Sequence, residues 1–116
     1  MNTNEITSLI IKDNPNAPKD KKRLVAFFLM KNGKTKKVKF GMYKSAGTFS
    51  DGATNEKRDL YIKRHRIREN WNDITTAGAL AKEVLWEDTN KSKIEKNINR
   101  KFKIPLVKVQ FKRYNI

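Results

Sequence analysis

The chain's one histidine, four of its seven arginines and both its tryptophans lie between residues 58 and 86, in RDLYIKRHRIRENWNDITTAGALAKEVLW. His65 is that histidine, and imidazole is the side chain that titrates nearest neutrality in water. It could act as a general base, but Arg64 and Arg66 flank it with like charge, a poor setting for a group that must take up a proton. The sequence places no nucleophile to complete a triad with it. The residues therefore favour a structural histidine packed beside Tyr61 or Trp71. Glu69 and Asp73 could meet across one helical turn, and Asp51, Glu56 and Asp59 precede them, yet their spacing is not that of a calcium loop. Caps and ion pairs account for them better. The chain has neither a GxGxxG nor a P-loop, so no cofactor, metal or small-molecule substrate is called for.

A second chemistry is the binding of polyanions. Arg58, Lys63, Arg64, His65, Arg66 and Arg68 form a cationic cluster interleaved with Tyr61 and Trp71, the residue types that contact phosphates and bases. These cations surround a helix rather than forming one stripe, so no major-groove reading face is specified. They remain the expected contacts to an acidic partner or polyanion. The whole chain points the same way: 27 Lys and Arg against 12 Asp and Glu give +15 over 116 residues, and such self-repulsion favours acidic company. Lys is far commoner than Arg, and Asn and Ile are abundant, the set that AT-rich codons supply, so part of the charge reflects codon usage. There is no cysteine, hence no disulfide framework and no thiolate chemistry. The first residues lack the pattern of a secretory signal, and the longest apolar run, LVAFFLM, is far short of the ~20 residues that cross a bilayer.

The elements that must position these groups follow from patterning. Residues 1–22 contain a short β-prone piece, Thr7 to Ile11, and then NPNAPKDKK, which together read as an N-terminal extension preceding one domain over 23–116. Two β-rich runs flank Asn32-Gly33, a strong hairpin signal. In the second run Val38, Phe40 and Met42 alternate with Lys37, Lys39 and Gly41, so one face is apolar and the other cationic. Residues 44–53 read as loop. Thr54 caps a helix over about 55–70, with Leu60, Arg64, Ile67 and Trp71 along one face and Tyr61, His65 and Arg68 beside it. Thr75 or Thr76 caps a second helix, mostly buried through Ala77, Leu80, Ala81, Val84 and Leu85. A third, over about 90–102, presents Ile94, Ile98 and Phe102 on one side and stops before Pro105. LVKVQFKR then reads as a strand that joins the hairpin in a three-stranded antiparallel sheet. The fold class is α+β, a hairpin-based sheet with about three helices.

The order of VKFG, a Gly/Asp loop, RDLYIKRHRIRENWND, TAG and VLWE resembles a family of small basic proteins of large nucleocytoplasmic DNA viruses, the phycodnavirus and mimivirus-like group. The resemblance spans roughly residues 22–104. The motif positions are Tyr61, Ile62, Arg64, His65, Arg68, Glu69, Trp71, Thr76, Ala77, Gly78, Leu85 and Trp86, while Ala79 and Leu80 stand where the family continues with aromatics. The resemblance implies a non-enzymatic virion component, a minor capsid or cement protein on the inner side of the shell. Its partners would be the major and other minor capsid proteins, and a role in binding DNA or an acidic membrane surface is the alternative. On that reading Tyr61, Trp71, Gly78, Leu85 and Trp86 are packing or interface anchors, with Gly78 permitting close approach of helices.

Overall fold

The computed structural model describes residues 5–43, 48–67 and 69–112. ITSLIIKD forms strand β1 (Ile6–Asp13), and the one-turn helix α1 (Ala17–Asp20) leads into β2 (Lys22–Met30) and β3 (Thr35–Met42). The β2–β3 connection is the hairpin read from Asn32-Gly33: Gly33 N–H donates to Met30 O at 3.0 Å and Gly33 has φ +83°, a conformation that favours glycine. A 3₁₀ turn (Phe49–Asp51) precedes helix α2 (Asn55–His65), capped by Thr54, whose hydroxyl accepts from Lys57 N–H at 3.2 Å. Helix α3 (Ala77–Ala81) begins at Thr76 as cap and runs directly into a π-helical stretch, Lys82–Trp86. Helix α4 (Lys91–Phe102), capped by Asn90, ends on Lys103 at φ 54°, and β4 (Leu106–Gln110) follows Pro105.

The α+β class, the hairpin and three main helices agree with the sequence reading, and the sheet is larger than expected. Its order is β3-β2-β1-β4, with β1 antiparallel to β2 and parallel to β4. Residues 6–13, expected within an N-terminal extension, thus form an interior strand. Ile6, Leu9 and Ile11 are buried there, so the strand belongs to the domain expected at 23–116. The expected pairing of residues 106–112 with the hairpin gives way to a parallel pairing with β1, because β1 occupies the hairpin's free edge and offers its own. A parallel pair requires a crossover, which the helices between β1 and β4 supply.

Alternation along the strands sends Leu9, Ile11, Leu24, Ala26, Phe28, Phe40, Val107 and Val109 to one face. There they meet Leu80, Val84 and Leu85 and, from α4, Ile94, Ile98 and Phe102 in one apolar cluster. Each such side chain contributes ~1.5–3 kcal/mol when fully buried. The opposite face carries Ile10, Val25, Phe27 and Leu29, and α1 closes only its Val25 end, where Asp20 lies 2.7 Å from Lys39. That contact, with the Asn14 amide, holds the Asp20 carboxyl below its ordinary range.

Candidate functional site

Helix α2 lies outside the core and has no buried residue, so its position depends on a few directed contacts. Arg58, Tyr61 and His65 recur at helical spacing on its inner side. Tyr61 is stacked between two rings: His65 at 4.2 Å and 24°, and Trp86 at 4.3 Å and 7°. Burial, and then the negative charge of Glu69, push the Tyr61 phenol well above its ordinary pKa, so it stays neutral. The π stretch carries Trp86 to this stack and ends with carbonyls that need partners. Arg58 Nε donates to Trp86 O at 2.8 Å, and its guanidinium covers the Phe49 ring at 5.3 Å. The buried Ser50 hydroxyl lies 2.5 Å from Val84 O and 2.7 Å from Asp88 O, its one proton serving both.

Beyond His65 one further helix-like bond follows, with Glu69 N–H donating to His65 O at 3.1 Å. The helix itself ends at His65, earlier than residue 70, and the i,i+4 spacing puts the Glu69 carboxylate beside His65. Its Oε1 is 3.0 Å from His65 Nδ1, and its Oε2 accepts from Trp71 Nε1–H at 2.8 Å. Gly78 backs the same carboxylate so closely that a Cβ there would lie 2.8 Å from Glu69 Cδ. Tyr61, His65, Glu69, Trp71, Gly78 and Trp86, separate in the sequence, therefore make one side-chain clamp.

Beside the clamp lies an ionic cluster. Lys82 Nζ sits 5.4 Å above the Trp71 ring and 2.9 Å from Glu87, while Lys101 reaches the buried Glu83 at 2.8 Å and Glu87 at 3.5 Å. Burial would raise the Glu87 carboxyl, but its bond to Lys82 and the charges of Lys101 and Arg58 outweigh it and hold it low. Lys101 is affected in the opposite sense: burial would lower its pKa, and Glu83 more than reverses that. The cluster lines an open depression of about 520 Å³ with Trp71, Asn72 and Phe102. No group of three or more potential metal ligands occurs among the described residues.

The expected partner contacts divide. Lys63, Arg64 and Arg66 are exposed, whereas Arg58 is bonded to Trp86 O and His65 is stacked on Tyr61 with its side chain 41% exposed. Arg68 lies outside the described residues. Trp86 and Leu85 are buried anchors as expected, and Trp71 is half-buried. Gly78 admits a carboxylate rather than a helix. The apolar face expected on α2 points outward: Leu60 is 56% and Ile67 85% exposed. Asp73 accepts from Thr75 N–H and Oγ–H, bonds that lower its pKa.

Sequence reasoning passed over a buried ion pair. Arg23 and Asp51 form two bonds of 2.7 Å, Arg23 also donates to Lys112 O at 2.9 Å, and Asp51 accepts from Thr48 N–H and Oγ–H. The Arg23 guanidinium lies 5.2 Å from the Phe111 ring. The one hint was a charge at the head of an apolar run, RLVAFFLM, and it names no partner.

Fold and site together define a small α+β domain with a mixed sheet, in which a helix bearing outward cations is clamped onto a π-helical stretch. Compared with protein-family models, curated proteins and solved structures, the chain matches none of them.

Proposed function

We propose that the chain is a non-enzymatic structural protein that docks between larger partners, a minor capsid or cement protein of a large DNA virus acting on the inner side of the shell. The observation that carries this reading is the outer side of α2 and of the turn that follows it. Leu60 and Ile67, 56% and 85% exposed, lie among the exposed Lys63, Arg64 and Arg66, and the clamp on the inner side holds them in place. Apolar anchors set among cations suit a contact with an acidic protein surface, where a few residues carry most of the energy. His65, the one candidate base, has one ring face on Tyr61 and Nδ1 on Glu69, which suits a positioning role.

The test is fractionation of opened particles. The protein should stay with empty shells, and Leu60→Asp with Ile67→Asp should lower its copy number per particle while leaving its melting temperature unchanged. Recovery with the genome instead of the shell would overturn the reading. A virion DNA-binding role is the second reading. It is favoured by Lys63, Arg66, Lys93 and Lys96, which are exposed and make no ion pair with a described residue.

A further inference from the structure

Among the described residues, the sheet face turned away from α3 and α4 is covered only at one end, by α1. Cross-strand registers place Lys108, Ile10, Phe27 and Lys37 side by side in one row across all four strands, with Leu106, Ser8, Leu29 and Thr35 in the next. Leu29 and Leu106 are 43% and 46% exposed, and Ile10 and Phe27 are half-buried. Down the middle of this face therefore runs an apolar strip, with a lysine on each edge strand. Lys39 is neutralised by Asp20, but Lys37 and Lys108 make no ion pair with a described residue.

We infer that this face seats an acidic amphipathic helix from a partner protein. Three strand spacings separate the two edge lysines by ~14 Å at their Cα atoms. A helix with its side chains is about 10–12 Å across, so one laid along the strip would place carboxylates on both flanks within reach of Lys37 and Lys108. Its apolar side would cover Ile10, Phe27, Leu29 and Leu106, and a helix on a sheet is the layer this face lacks. A second copy of the chain is a poor occupant, because each copy carries +15. Single-stranded nucleic acid fits less well, since bases stack on aromatic rings. The strip offers one ring, Phe27, among aliphatic side chains. The inference is independent of the α2 reading, because the two surfaces share no residue.

The test is fluorescence anisotropy with the full chain and a labelled 18-residue synthetic helix bearing leucines on one side and glutamates on its flanks. Leu29→Glu with Leu106→Glu, and separately Lys37→Glu with Lys108→Glu, should each weaken binding at least tenfold. Leu60→Asp with Ile67→Asp should leave it unchanged, which separates this face from the α2 surface. All substituted residues are exposed, and matched melting curves verify that the variants fold. Equal binding of a peptide of the same composition in scrambled order would overturn the inference by showing attraction of charge alone. So would indifference to both sheet-face pairs, or displacement of the peptide by a 20-nucleotide oligothymidylate that loses affinity in those same variants.

Discussion

Replacing Gly78 by alanine tests the clamp through the sign of its effect. At the start of an exposed helix this change is ordinarily stabilising, by at most ~1 kcal/mol. Here the new Cβ would lie 2.8 Å from both Cδ and Oε2 of Glu69, so the carboxylate must withdraw. It would then lose its 2.8 Å bond from the Trp71 indole and its 3.0 Å contact with His65. Hydrogen bonds to a charged group contribute roughly 1.5–3 kcal/mol. The lower end applies because the Glu69 side chain is 25% exposed and water replaces part of what is lost. Two such bonds total about 3 kcal/mol, and subtracting the helix gain leaves a net loss of about 2 kcal/mol, or about 8 °C in melting temperature for a chain of this length. Urea unfolding followed by tryptophan fluorescence measures it. In a Glu69→Ala background the obstacle is gone, and Gly78→Ala should become neutral or stabilising. Stabilisation in the wild-type background, or the same loss in both, would refute the clamp.

The buried pair gives a second prediction: Arg23→Met should cost about 3–5 kcal/mol by stranding Asp51, and combining it with Asp51→Asn should cost less than the two single losses together, as read by denaturant unfolding. The third concerns pH. Asp20, Asp73 and Glu87 have lowered pKa values in the fold, so their contribution is complete above the ordinary carboxylate range and lost as pH falls through the lowered values. Lys101 has a raised pKa, so its contribution is complete below the ordinary lysine value of 10.5 and lost as pH rises through the raised one. Melting temperature should therefore be level between about pH 5 and 10 and fall on both sides; a maximum below pH 4 would contradict the assignment.

What could be read from sequence was what is local. Asn32-Gly33 encodes its turn in two residues, Thr54 caps the helix that follows, Thr76 of the expected pair Thr75 or Thr76 caps the next, and Ile94, Ile98 and Phe102 mark the inner side of α4 by spacing alone. The place of β1 was not legible, because its value as an interior strand depends on β4, almost a chain length away. The side of α2 that faces inward was hidden for a different reason. Hydrophobicity favours Leu60 and Ile67, whereas the π stretch demands a donor for Trp86 O and a flat partner for its ring, which Arg58 and Tyr61 supply. That π stretch itself left no mark, since Leu80, Ala81, Val84 and Leu85 would serve an α-helix equally well. Helical spacing pairs His65 with Glu69, but the approach of Gly78 and Trp86 to that helix joins separate segments, which periodicity does not encode.

The pairing of β1 with β4 also sets an order of events in folding. Ser8 and Leu106 are neighbours in space and 98 positions apart in the chain. Closing a loop of that size costs roughly 2–3 kcal/mol more entropy than closing the four-residue β2–β3 turn, and mixed sheets with such distant pairings fold slowly. The hairpin can form early and accept β1, but the far edge of β1 then waits, with its N–H and C=O groups unpaired, for β4. During that interval the half-built sheet exposes an edge rich in isoleucine and leucine to any neighbouring chain. The charge of the protein, a burden to its compact state, is at that stage a safeguard, keeping nascent copies apart until the edge is closed.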